Sequence, residues 1–219
     1  MINFHPSDAL LQAHVAGELP LALTTAVAAH CELCEVCKAR TAQLSDKFAQ
    51  ELFDVAPFGA TELSEFDAVT MLTGITAMEP AIESTPVLSP QIAIGGDTYS
   101  LPRVFRHQLQ DNWKGIGKVN RLRLATGENR ARASLLHIAA GGEIPAHTHK
   151  GQEVTLLLAG EFSDEYSNYQ PGDFIVMSSE HEHAPRTASG CLCYTLVDAP
   201  LYFTKGISKL LNPIGELIY

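Results

Sequence analysis

The sequence is poor in cations. Fifteen lysines and arginines stand against 25 aspartates and glutamates, a formal net charge of −10 over 219 residues. A phosphate backbone calls for a cationic surface, so direct binding to nucleic acid is excluded. Long apolar runs are missing as well, and nothing approaches the roughly 20 residues of a membrane span. Residues 1–8 have no cationic start leading into an apolar stretch, so no export signal is expected and the chain is placed in the cytoplasm. Cysteine numbers only five, an odd count that does not describe a disulfide framework. Hydrophobic residues make up 46% and charged ones 18%, a composition that builds a core. The length allows one large domain or two small ones.

The charge is uneven. Residues 1–85 hold 12 acidic side chains and three basic ones (Lys38, Arg40, Lys47), a net of −9, whereas the rest of the chain nets −1. Such asymmetry points to two domains with different tasks, the first suited to solubility or to a basic partner.

Periodicity divides the chain at the same place. Ser7 and Asp8 can cap a helix over residues 9–17. Residues 19–33 are rich in Ala and Leu, with Pro20 near a permitted helix start. A third helix is expected over 35–52, and a fourth over 61–75. That fourth segment carries Leu63, Phe66, Val69, Leu72 and Ile75 at helical spacing, with Glu62, Glu65 and Asp67 on its other face. Residues 86–100, with Pro86, Pro90 and Gly95–Gly96, read as a linker. Beyond them the period becomes two, and strands are expected at 122–124, 131–139, 154–158, 174–177 and 192–197. The expected fold is therefore α + β in two domains: a small helical bundle at 1–85 and a β-sandwich or barrel at 101–219.

Each half has its own group of metal-binding residue types. The first reads His30-Cys31-Glu32-Leu33-Cys34-Glu35-Val36-Cys37. His30, Cys34 and Cys37 are spaced four and three apart, within reach of one ion on a helix face or across a helix junction. One imidazole and two thiolates suit Zn²⁺, which takes four tetrahedral N/S ligands. The fourth ligand is expected to be His5 from the leading loop, with His14 as the alternative. Such a site would staple a domain of modest core. Cys31 lies outside the set, as a bystander, an alternative ligand or a redox-active thiol.

The second group reads Gly141-x5-His147-x-His149-x3-Glu153-x6-Gly160. His147 and His149 alternate onto one face of a strand, and Glu153 returns from the next. His181 or His183 can close the site. Three imidazoles and a carboxylate would bind Zn²⁺ or another divalent metal. Cys191 and Cys193 share one strand face, either as two buried thiols or as a redox-responsive pair. His107 and His137 have no partners at metal spacing.

The His147–Glu153 pattern resembles the first cupin motif. Glu182-His183-Ala184-Pro185 is similar to that family's closing Glu-His-x-Pro, which implies His183 as the last ligand. His30-x3-Cys34-x2-Cys37 in a short acidic helical segment resembles the zinc-binding anti-sigma factors. Together the two halves resemble the ChrR-type anti-sigma factors, a zinc anti-sigma domain followed by a cupin domain. That resemblance implies a regulator that is not an enzyme. Its helical domain would clasp an extracytoplasmic-function-type sigma factor, and its cupin domain would sense a stress, oxidative in kind, such as singlet oxygen or peroxide. The competing expectation is a cupin dioxygenase or isomerase with a helical appendage.

Overall fold

The computed structural model describes residues 1–54, 65–79, 88–109, 112–128 and 131–204. Helix α1 (Asp8–Val15) starts where the Ser7 hydroxyl oxygen accepts the Leu10 N–H at 3.2 Å, satisfying an end group that has no partner within the helix. Helix α2 (Leu21–Leu33) follows Pro20 and stops at Cys34, whose backbone is extended (φ −118°, ψ 104°). Helix α3 (Glu35–Asp54) begins at the next residue, so Cys34 alone forms the corner between two helices. Ala22, Ala26 and Ala29 recur on one face of α2 and are fully buried. Their small side chains let the helix lie close to what it covers. Helix α4 (Glu65–Ala77) overlaps the fourth expected segment, of which residues 61–64 fall outside the described residues. From Ala68 onward its side chains are exposed.

The stretch expected as linker holds structure of its own. Strands β1 (Gln91–Ile94) and β2 (Asp97–Ser100) form a hairpin. Gly95 and Gly96 both take positive φ, 65° and 94°, the geometry of a two-residue hairpin turn, and Ile92 buries its side chain. A short 3₁₀ turn at Arg103–His107 follows.

The remaining strands are β3 (Trp113–Ile116), β4 (Val119–Arg123), β5 (Arg132–Ile138), β6 (His147–His149), β7 (Glu153–Gly160), β8 (Phe162–Ser163), β9 (Asn168–Tyr169), β10 (Phe174–Met177), β11 (Cys191–Val197) and β12 (Leu201–Phe203). Six of them form an antiparallel sheet in the order β10-β7-β11-β5-β4-β3. The facing wall consists of the pairs β12–β6 and β8–β9, stitched by bridges His147–His183, Glu143–Arg186 and Ser163–Arg186. The two walls make the cupin fold. Gly160 takes positive φ (78°) where a Cβ would collide with the Gly190 backbone, so this corner accepts glycine alone.

Alternation along the strands sorts side chains onto two faces. Ile138, Leu157, Ile175, Met177, Cys191 and Cys193 fill the interior between the walls. Leu135, Leu156, Phe174, Leu192 and Tyr194 point the other way and share one cluster with Leu11, Ala26, Val27, Cys34 and Cys37 of the helices. Helix α2, with α1 and α3 beside it, is thus packed onto the outer face of the six-stranded sheet, an arrangement that two domains on a linker would not have foretold. Tyr194, fully buried, donates its hydroxyl to the Ala22 carbonyl at 2.7 Å. The Glu32 carboxylate accepts the Arg103 and Val104 N–H groups, and the Glu128 carboxylate accepts the Ala22 N–H.

Candidate metal centres

His5, His30, Cys34 and Cys37 come together, each offering a ligand atom within 4.8 Å of the others. His5 arrives on the loop before α1, His30 from the last turn of α2, Cys34 from the corner and Cys37 from the first turn of α3. The His5 Nδ1 lies 3.5 Å from the Cys34 Sγ and 3.4 Å from the Cys37 Sγ. His30 is fully buried. Its Nδ1–H donates to the Gly172 carbonyl at 2.7 Å, which leaves Nε2 as a buried nitrogen without a hydrogen-bond partner. Such an orphan is costly unless a ligand meets it. Burial lowers the His30 pKa, so the ring is held neutral. Burial and the neighbouring Cys34 push the Cys37 thiol up to about 12. A bound cation reverses that penalty, because it stabilises the thiolate. The donor set therefore fits a metal ion.

The alternative ligand His14 sits elsewhere, its Nδ1 2.6 Å from the Thr24 hydroxyl. Cys31 also stays out of the group. Its thiol is half-buried and raised in pKa chiefly by that burial, with Thr41 as hydrogen-bond partner.

The second group gathers His147, His149, Glu153 and His183, all buried. The His149 Nε2 is 2.8 Å from the Glu153 Oε2 and 3.2 Å from the His183 Nε2. Two rings are aimed from behind. The His147 Nδ1–H donates to the Pro145 carbonyl at 2.8 Å, and the His183 Nδ1–H donates to the Asp164 carboxylate at 3.1 Å. Each bond fixes the tautomer that turns Nε2 toward the centre. Burial, with the charge of His183, lowers the His147 pKa to about 4. Burial pushes Glu153 upward, but the His149 hydrogen bond and the surrounding imidazoles outweigh it and leave the carboxyl below its usual value. Three imidazoles and a carboxylate that converge this closely fit a divalent cation.

His181 is not among them; its Nδ1 accepts the Ser178 N–H at 3.1 Å. Cys191 and Cys193 are buried in the interior as free thiols, and Cys193 contacts Cys191 and shares the cavity wall with Glu153. That cavity holds about 30 Å³. Asp164 and the carbonyls of Pro145 and Gly172 are supporting groups that sequence reasoning missed. Asp164 lies 19 positions from His183, and no spacing rule joins them. Pro171-Gly172-Asp173 carries turn chemistry, but nothing in those residue types signals the contact with His30.

Comparison with known proteins follows the same division. Residues 108–199 match the family described as the ChrR cupin-like domain. The anti-sigma-E factor ChrR of Cereibacter sphaeroides is 33% identical over 219 residues, 99% of each chain. This chain belongs to the ChrR family of anti-sigma factors. The crystal structure of Rhodobacter sphaeroides SigE in complex with the anti-sigma ChrR superposes with a TM-score of 0.67 at 31% identity, covering 90% of this chain and 100% of that one. Both the helical layer and the cupin thus have counterparts in ChrR. No described helix is long and apolar enough to cross a membrane.

Proposed function

We propose that this chain is a cytoplasmic anti-sigma factor. Its helical half captures an extracytoplasmic-function-type sigma factor through direct protein contact, with no nucleic acid involved. The end-to-end identity with an anti-sigma factor known in complex with its sigma factor carries the reading. The exposed apolar side chains of α4 support it. Val69, Met71, Leu72 and Ile75 are 58–66% exposed, a surface suited to a partner groove.

The first centre takes Zn²⁺ on His5, His30, Cys34 and Cys37. Zinc bonds of about 2.3 Å to sulfur and 2.0–2.1 Å to nitrogen place tetrahedral N···S edges near 3.5 Å. The two observed His5–sulfur separations are 3.5 and 3.4 Å. The ion would supply folding energy by tying the leading loop to the α2–α3 corner.

The second centre takes Zn²⁺ or another divalent metal on His147, His149, Glu153 and His183, and it serves as the stress sensor, for singlet oxygen or peroxide. Cys191, Cys193 and Cys31 are the candidate redox thiols, of which Cys31 is half-buried and Cys193 lines the cavity. The cavity beside this centre is far below the roughly 300 Å³ of a small-molecule site, which weighs against the oxygenase alternative.

A pull-down from the native cytoplasm with metal quantification tests this. One basic protein of sigma-factor size, held by a chain carrying near two metal equivalents, is the expected result. A fully metallated chain that captures no transcription initiation component overturns it.

A further inference from the structure

The first centre does not stand on helices alone. Asp173 of the cupin half is fully buried, and its carboxylate accepts three backbone N–H groups. Oδ1 accepts from Asn3 at 2.7 Å and Phe4 at 3.1 Å, and Oδ2 accepts from Gln170 at 2.9 Å. A buried carboxylate persists only when its lone pairs are met in this way. Two of the three donors belong to the loop that presents His5. The same loop is gripped again one residue on, where the Phe174 N–H donates to the Phe4 carbonyl at 2.9 Å.

Gly172, between these contacts, accepts from His30 and so selects the tautomer with Nε2 toward the thiols. Its φ is 96°, and a Cβ there would collide with the Ile2 side chain, so the turn and the leading loop are fitted to one another. The Phe174 ring meets the His30 ring edge-on at 5.8 Å. Both imidazoles of the first centre therefore owe their placement to the cupin turn at 171–174, while the two thiols owe theirs to the helix corner.

We infer that this turn is a positioning element of the first centre: Asp173 and Gly172 set its metal affinity from the cupin half. The inference rests on reading His5, His30, Cys34 and Cys37 as a metal centre. Strand β10 carries it further. β10 starts at Phe174 and ends at Met177, which pairs directly with the cupin ligand Glu153. At 3.3 Å per residue, about 10 Å of one strand separates the turn that aims His30 from the residue opposite Glu153.

Zinc affinity is measured for each centre in the full-length chain, by competition with a chromophoric chelator. Cobalt(II) serves as the visible reporter of thiolate ligation. Asp173→Asn replaces one acceptor oxygen with an NH2 that faces a backbone donor. Asn3→Pro removes one donor from the loop and leaves the cupin turn intact, so it stays informative where Asp173→Asn fails to fold. Both are expected to weaken the first centre by about 10–100-fold, the range seen when groups that orient ligands are lost. Asn3→Pro is expected to leave the cupin centre at wild-type affinity, a split that general loss of stability does not produce. Wild-type affinity at the first centre in both variants overturns the inference. A wild-type chain with no ion dependent on Cys37 overturns the metal reading beneath it, and the cobalt spectrum tells these two failures apart.

Discussion

The two centres solve the same problem with opposite materials. The cupin centre is built on strands β6 and β7 and the segment bridged to them. Its four ligands are buried, and Pro145 and Asp164 aim two of the rings from behind. The first centre draws on a loop, a helix end, a one-residue corner and a helix start, and its His5 is exposed. Strand pairing and the groups behind its rings hold the one; a loop and a helix junction meet at the other. The contrast predicts that metal binding couples to folding at the first centre and to chemistry at the ligands in the cupin.

The sharpest way to break the contrast is Cys37→Ala. It should abolish the first ion, melt the α1–α3 layer as followed by circular dichroism, and eliminate sigma capture, while the cupin ion stays. Capture at wild-type yield means the junction does not depend on metal. Glu153→Gln or His183→Ala should do the reverse. The cupin ion is lost, sigma capture persists, and release on oxidant treatment is blunted, as read by co-purification before and after exposure. Loss of capture would make the cupin part of the clamp.

Asp164→Asn sharpens the comparison on a smaller scale. It leaves all four ligands in place but withdraws the charge that orients His183, so cupin metal affinity should fall about 10–100-fold with the first centre unchanged. The response to pH divides the centres as well. The Cys37 thiol, pushed up to about 12 without an ion, must release its proton to bind one. First-centre affinity should then fall by about tenfold for each released proton and each unit of acidification. His147, held down to about 4, binds no proton in that range and adds nothing to the slope of the cupin centre between pH 6 and 8. Titrating zinc affinity across that range checks which centre is the steeper.

Much of this was readable in the residues because the determinants are local. The His147-x-His149 pair sits on one strand face, the Cys34 corner lies between two helices, and Ser7 caps α1. Strand β10 was expected at 174–177 and occurs there. The hairpin at 91–100 was misread as linker because glycine pairs mark flexible connections and tight turns alike, and only the burial of Ile92 separates them. The seating of α2 on the sheet was hidden for another reason. An alanine face reads as plain helix propensity, and nothing in it says that Tyr194, 172 positions away, will close on Ala22. Asp164 and Asp173 stayed unseen because each acts on a partner distant in sequence.

Strand β11 separates two compartments by the thickness of one backbone. Cys193 opens into the chamber beside Glu153, while Tyr194, the very next residue, reaches through to the helices. A slip of one position would exchange the two, placing a thiol at the helical seam and a phenol inside the chamber. The spacing from Cys191 to Tyr194 is therefore intolerant of a single inserted or deleted residue, however mild its chemistry.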